Sequence, residues 1–349
     1  MSTQNAILLT GGAGYIGSHI YFELIECDKF NDMEVVIVDN LSNSDLKNLF
    51  AVSREKKVGL RLKFYQIDLA DDSALSTLEK RVFSKHHIVA VIHLAGLKSV
   101  KESIEDPTLY YRNNLNATTN LLTALQKWCK NDRIRFIFSS SATIYGSGCE
   151  LPITENSRGE GPINAYGRTK LWIEEMLRDT ISKNSIWEII VLRYFNPIGV
   201  HPSGLLKESP VGIPENLVPY VLDVVRGRFP QLKVFGNDYN TIDGTPVRDY
   251  IHVVDLARAH IKALEYQFNS EGESRYQIYN IGTGVGYSVL QVIDEFNKLG
   301  HNIPYKVVGR RQGDSPATYA DPSKAFERLG WRAEFGLEEM VRDACKQLE

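Results

Sequence analysis

Short apolar runs recur through the first half of the chain, each closed by glycine, aspartate, serine or tyrosine. "AILLT" (6–10), "EVVIVD" (34–39), "LKFYQID" (62–68), "VAVIHLAG" (89–96), "RFIFSSS" (135–141) and "EIIVLRY" (188–194) are β-branched and mostly continuous rather than alternating. A strand covered on both faces reads this way, because neither side meets water. Between the runs lie helix-length stretches, among them 17–27, 110–129 and 166–182. Strand and helix in alternation predict an α/β fold: a doubly wound parallel sheet forming a Rossmann-type dinucleotide domain over 1–195.

The pattern changes at 196. Pro197, Pro202, Pro210, Pro214 and Pro219 crowd together with several glycines, and regular periodicity fades. Residues 196–349 are expected to form a smaller, mixed α/β substrate domain. Within it, "VRDYIHVVDLARAH" (247–260) reads as a strand turning into a helix, so a segment near 247–268 is expected to return to the first domain.

The first run leads into "ILLTGGAGYIGSH", which satisfies G-x-G-x-x-G at Gly12, Gly14 and Gly17 and carries Gly11 besides. Glycine allows a tight turn and lets the backbone approach a pyrophosphate, which the N–H groups of a helix N-terminus then hold. A bare glycine motif says little; its place between strand and helix makes it a dinucleotide site. Asp39 closes the second run 22 residues after Gly17. A carboxylate there accepts hydrogen bonds from a ribose diol and repels a 2′-phosphate, and no arginine follows in "DNLSNS", so NAD is expected rather than NADP. Asp68 ends the third run in the same manner, where a turn role and an adenine contact both remain open.

Composition narrows the partners. Net charge is −3, which gives no basic field for nucleic acid or an anionic membrane. No apolar run nears the roughly 18 residues needed to span a bilayer. The N-terminal stretch has no basic region and is broken by glycines, so no secretion signal is read there. Cys27, Cys129, Cys149 and Cys345 are scattered without CxxC spacing. They are read as reduced thiols of a cytoplasmic protein, with no metal site.

In "NAYGRTKLWIEEML" (164–177), Tyr166 and Lys170 stand one helical turn apart on a common face. A free phenol, with a pKa of about 10, is a poor base at neutral pH. A neighbouring ammonium and the positive ring of NAD favour the tyrosinate. That tyrosinate can take a proton from a sugar hydroxyl while hydride leaves the same carbon. The spacing alone would equally suit an ordinary exposed pair. Context selects between the two: "SSSATIYG" (139–146) closes a strand 25 residues before Tyr166, at the sheet edge where ligand crevices open. Ser141 there can hydrogen-bond the reacting hydroxyl, so Ser141, Tyr166 and Lys170 are the expected catalytic residues. Asp249 and His252 read as structural polar groups, and His86-His87 as surface.

TGGAGYIGSH, VDNLSNS, HLAGLKSV, SSSATIYG, Y-x-x-x-K, RYFNPIGVHPSG, GIPENLVPY, GTPVRDYIHV and RRQGDSPA together resemble the UDP-glucose/UDP-galactose 4-epimerases of the extended short-chain dehydrogenase/reductase family, from about residue 6 to 335. The resemblance implies a reversible inversion at carbon 4 of UDP-hexoses with tightly bound NAD. It implies cofactor contacts from Tyr15, Ile16, Asn40, Asp68 and Leu69, from Leu94, Ala95, Gly96 and Lys98, and from Asn113 and Tyr194. It places Arg248 and Arg311 on the diphosphate, with Arg310 as the alternative to Arg311. Asn196, Asn216, Leu217 and Asp314 are implied around the phosphates, sugar and uridine ribose, and Lys98, Asn113 and Thr143 beside the sugar. Thr318 matches a position lining the pocket of the rotating sugar, where a small residue implies that N-acetylated UDP-sugars are accepted too. A homodimer is implied, paired through helices near 110–129 and the helix carrying Tyr166. A nucleotide-sugar 4,6-dehydratase would need an acid and a base after Ser141, which Ala142-Thr143-Ile144 do not supply. A non-catalytic NAD sensor would have no use for Ser141, Tyr166 and Lys170 together.

Overall fold

The computed structural model describes residues 4–57, 62–129, 133–183, 186–208, 212, 214–269, 275–311 and 313–348, so Pro210 lies outside it. All the predicted runs are strands: β1 (Asn5–Thr10), β2 (Glu34–Asp39), β3 (Leu62–Gln66), β4 (His87–His93), β5 (Ile134–Ser141) and β6 (Trp187–Tyr194). They lie parallel in the order β3-β2-β1-β4-β5-β6. Helices α1 (Tyr15–Glu26), α2 (Lys47–Glu55), α3 (Ala74–Leu78), α4 (Val100–Glu105), α5 (Pro107–Tyr110), α6 (Asn116–Trp128) and α7 (Ala165–Lys183) connect them. Alternation along the strands explains the continuous apolar runs. Ile7 and Leu9 of β1 face one core with Ile37, Ile92, Ile137 and Ile190, while Ala6 and Leu8 face another with Val36, Val91, Phe136 and Val191. The inner strands serve two cores, so their central positions are apolar on both faces.

Beyond β6 come β7 (Asn196–Ile198), α8 (Leu217–Val225), β8 (Leu232–Phe235), β9 (Val247–His252), α9 (Val253–Asn269), β10 (Tyr276–Ile281), β11 (Gly286–Ser288), α10 (Val289–Lys298), β12 (Tyr305–Val308), β13 (Ala317–Thr318), α11 (Ser323–Leu329) and α12 (Leu337–Cys345). The lobe has its own core, in which Val221 and Leu222 of α8 meet Phe296 of α10 and Met340 of α12. β9 is central to its small sheet, pairing with β7, β11 and β13. It runs into α9, which crosses back to pack on α1 and on the large sheet. A second return was not anticipated: β10 adds a seventh strand parallel to β6. Gln277 and Asn280 interrupt its apolar character, as befits an edge strand, so it lacks the continuous run that marked the others.

Three local readings need correction. β3 stops at Gln66 rather than 68, because the Asp68 carboxylate accepts the Ala70 N–H at 2.9 Å and forms a turn in place of the ladder. β4 covers 87–93 rather than 89–96, which frees residues 94–96 to line the crevice. His86 is buried, not superficial: its Nδ1 lies 2.6 Å from Glu34 Oε2 and its Nε2 2.8 Å from the Tyr65 hydroxyl. Asp249 is fully buried and accepts N–H groups from Thr283, Gly284 and Ala320, tying two lobe loops to β9. His252 joins α12 through Asp343 Oδ2 at 3.3 Å.

Candidate active site

The turn from β1 into α1 is as tight as its glycines allow. Gly11 has φ +71°, and a Cβ on Gly17 would sit 2.3 Å from the Gly11 carbonyl oxygen. Gly14 caps α1 without any side-chain hydrogen bond, so no side chain takes up the first N–H groups of the helix. Free donors above a glycine cradle suit a pyrophosphate. The Tyr15 and Ile16 side chains are engaged elsewhere. The Tyr15 hydroxyl donates to the Gly199 carbonyl in the lobe, and Ile16 packs on the first core. Asp39 is buried, with Oδ2 accepting Ala13 N–H at 3.0 Å and Oδ1 accepting Leu41 N–H at 2.9 Å and Ser44 Oγ at 3.0 Å. Asn40 Nδ2 donates to Asp68 Oδ2 at 3.1 Å, so Asp68 is both a turn residue and a wall beside Asn40. Leu69 is core. Leu94 and Ala95 pack beside the cradle: a Cβ on Gly11 would stand 2.8 Å from Ala95 N.

The loop after β4 depends on a residue the sequence reading passed over. Asn114 Oδ1 accepts Leu97 N–H at 2.8 Å, and its Nδ2 donates to the Leu97 carbonyl at 3.1 Å and to Thr169 Oγ1 at 3.0 Å. It thereby clamps the loop carrying Gly96 and Lys98 to α7. Asn113, its neighbour, is half-buried in the same π-helical turn, Tyr111–Leu115. Tandem asparagines in "RNNLN" were the available signal.

Ser141 ends β5, and α7 opens beside it with Tyr166 and Lys170, all three buried. Thr143 donates both its N–H (3.3 Å) and Oγ1 (3.1 Å) to Ser141 Oγ, leaving the Ser141 proton free for the phenol and for a substrate oxygen. Burial pushes the Tyr166 phenol above its ordinary value, against the opposing hydrogen bond of Ser141. Burial therefore outweighs the lowering expected from Lys170. The Lys170 ammonium lies 5.8 Å from the Tyr166 ring centroid and donates to the Ser139 carbonyl at 2.8 Å. Burial lowers the ammonium to about 8, with Glu174 working the other way. Tyr194 sits close by, its phenol raised well up by burial and then by Tyr166.

Two residues past Tyr194 the chain enters the lobe, where Asn196 pairs with Tyr250 of β9. Arg248 of the same strand donates to Asp314 Oδ1 at 2.8 Å and to the Ser315 carbonyl at 2.9 Å. Thr318 of β13 pairs with Arg248. Asn216 is the exposed N-cap of α8, followed by half-buried Leu217. Arg310 is committed to Asp238, at 2.7 Å to Oδ1. Arg311 stands over the Phe235 ring at 4.5 Å, with no carboxylate partner among the described residues. Lys98 is exposed on its loop.

A glycine cradle, a buried Ser-Tyr-Lys centre at the sheet edge and a lobe bearing arginines define a dinucleotide-dependent enzyme of the short-chain dehydrogenase/reductase class. The family model described as GDP-mannose 4,6 dehydratase matches residues 8–344. Bacillus subtilis UDP-glucose 4-epimerase is 50% identical over 343 residues, 98% of this chain and 96% of that one. The solved Bifidobacterium longum UDP-glucose 4-epimerase, in complex with NAD+ and UDP, is 45% identical with a TM-score of 0.88, covering 98% and 97% of the two chains. The UDP-Glc/GlcNAc 4-epimerase of Campylobacter jejuni is 33% identical with a TM-score of 0.79, covering 98% and 99%. The chain belongs to the UDP-glucose 4-epimerase family.

Proposed function

We propose that the protein interconverts UDP-galactose and UDP-glucose by inverting carbon 4, with NAD held throughout the cycle. The observation that carries this reading is the Ser141–Tyr166–Lys170 centre at the point where the large sheet hands the chain to the lobe. The glycine loop would hold NAD, which when bound would supply the hydride acceptor and donor and a positive charge favouring loss of the Tyr166 proton. Tyr166 takes the proton of the 4-hydroxyl, which Ser141 orients, and returns it once the sugar has presented its other face. Lys170 keeps positive charge behind the phenol. Arg248 and Arg311 hold the diphosphate, with Asn196, Asn216, Leu217 and Asp314 around the nucleotide and sugar. Gripping the diphosphate while leaving the sugar loose permits the rotation; uniform binding of one sugar pose would forbid it. Incubation with UDP-galactose tests the reading by NMR. UDP-glucose is the expected product; a 4-keto-6-deoxy sugar would make the protein a dehydratase, and unchanged substrate would end the proposal.

Arg311 rather than Arg310 is the phosphate ligand in this reading, because only Arg310 is spent on a carboxylate. Arg311→Ala is expected to raise KM about 10- to 100-fold, the scale of a lost charge-assisted hydrogen bond. Arg310→Ala should change KM by less than about threefold, and the reverse order would reassign the ligand.

N-acetylated UDP-sugars are proposed as further substrates, as in the Campylobacter jejuni protein. Thr318 and Arg248 are paired on parallel strands, so their side chains share a face. The adjacent Tyr319 ring turns instead to Gly286, where a Cβ would lie 3.1 Å from Tyr319 Cδ1. The wall beside the sugar is therefore threonine-sized, and a packed wall of tyrosine would leave no room for an acetamido group. Thr318→Tyr is expected to lower kcat/KM for UDP-N-acetylglucosamine at least about 100-fold while sparing UDP-galactose. A wild type inert toward the N-acetylated sugar but active on UDP-galactose would refute the assignment.

A homodimer is supported by an apolar patch on α4, α5 and α7. Ile104, Leu109 and Trp172 are 65%, 40% and 46% exposed, and Tyr111 stacks on Trp172 at 5.0 Å. Trp172→Glu should convert a dimer to monomer in light scattering; a monomeric wild type would refute the pairing. A cytoplasmic setting is supported by the free cysteines, and no described helix is long and apolar enough to cross a membrane.

A further inference from the structure

Helix α7 presents not two but three polar residues at helical spacing to the end of β5: Tyr166, Lys170 and Glu174. The strand answers each one in turn. The Ser141 hydroxyl meets Tyr166, the Ser139 carbonyl accepts Lys170 Nζ at 2.8 Å, and Ser140 Oγ donates to Glu174 Oε1 at 2.5 Å. Glu174 is 1% exposed and is locked by Arg193 of β6, whose Nη2 lies 2.6 Å from Oε2 and whose Nε lies 3.1 Å from Oε1. Arg193 pairs with Ser140 across the β5–β6 ladder, which fixes both groups on the face that meets α7. Its remaining donors reach the Tyr145 hydroxyl at 3.0 Å and the Glu155 carbonyl at 3.1 Å.

A buried ion pair is costly to assemble and often no more stabilising than apolar side chains of equal size. Its place two turns behind the base, and one behind Lys170, asks for another explanation. Lys170 supplies it. The ammonium is 5% exposed, and among the described residues no carboxylate comes within ion-pair distance of it. Burial alone favours loss of its proton.

We propose that Glu174 is a positioning residue for the reaction, a buried counter-charge set one turn behind the Lys170 ammonium, and that Arg193 holds Glu174 in place. The inference rests on the reading of Tyr166 as base. The charged and titratable groups that face this site are Tyr166 and Glu174 on α7, His93 on β4, Arg193 and Tyr194 on β6, Tyr145 after β5, and Tyr276 on β10. The titratable group of β5 itself, Arg135, lies at the far end of the strand and donates to the Gln267 carbonyl. His93 is held neutral by burial and by Lys170, its pKa about 3. Tyr145 and Tyr276 are raised by burial, so both are uncharged at neutral pH. Glu174 is the only negative charge of the set.

Without that charge the ammonium loses its proton at lower pH, and kcat falls at lower pH with it. The pH dependence of kcat for UDP-galactose, on protein loaded with NAD, tests this. Glu174→Gln, and the neutral pair Glu174→Gln/Arg193→Gln, should move the alkaline fall of kcat down by about one pH unit or more. KM should stay within about threefold, and Glu174→Asp, which keeps the charge, should restore most of the limb. A merely structural role would lower the yield of folded protein and leave the limb where it is. Folded, loaded variants with an unmoved limb would overturn the proposal, as would failure of both neutral variants to fold. An inactive wild type would instead sink the reading of the base, which separates the two failures.

Discussion

Tyr166→Phe is expected to lower kcat for UDP-galactose by about 10³-fold, within the 10²–10⁴ range of general acid–base catalysis, while NAD stays bound. The substitution removes one oxygen from a buried ring and leaves the packing intact. Of the groups at hand, Ser141 already receives two hydrogen bonds from Thr143, and the Lys170 ammonium is directed to the Ser139 carbonyl. Neither replaces the phenol as acceptor for the 4-hydroxyl proton. KM should change little, because UDP is gripped by the lobe. Turnover within tenfold of wild type would mean that another group is the base. Lys170→Met should differ in kind, lowering both kcat and bound NAD.

Gly17→Ala carries the second large effect. Its new methyl would meet the Gly11 carbonyl oxygen at 2.3 Å and Gly12 Cα at 2.7 Å, both backbone atoms in a turn that cannot yield sideways. Opening the turn by enough to relieve the overlap costs about 3 kcal/mol by analogy with overpacked cores. It also moves the α1 N-terminus off the line of the pyrophosphate. The expected result is protein purified without dinucleotide, melting roughly 4 °C lower by the usual conversion for a chain of this size. Gly309→Ala is the control: like Gly17 it lies outside the left-handed region, but no atom lies within 4 Å of a Cβ there. Normal NAD content in Gly17→Ala would refute the cradle.

The parts legible in the sequence were those where one local rule acts alone. The five inner strands of the large sheet announced themselves because burial on both faces leaves long apolar runs. The glycine turn and the Tyr166/Lys170 spacing are likewise short-range. β10 was missed because Gln277 and Asn280 break its apolar run, and its neighbour β6 is about 90 positions away in sequence. His86 was misread because its partners, Glu34 and Tyr65, belong to other strands. The same limit hid Asn114, whose clamp on Leu97 and Thr169 exists only once α7 is docked. It also hid Glu174, whose meaning depends on Ser140 and Arg193 from two strands. The spacing of Tyr166 and Lys170 shows a common face; that the ammonium points to a carbonyl rather than the phenol is a fact of packing.

The most direct test uses UDP-galactose with deuterium at carbon 4, incubated with the wild-type protein in ordinary water and followed by proton NMR. If Tyr166 removes only the hydroxyl proton while the hydrogen on carbon 4 leaves and returns as hydride within one closed site, the UDP-glucose formed keeps its deuterium at carbon 4. Label lost to water, or a product reduced at carbon 6, would contradict the account.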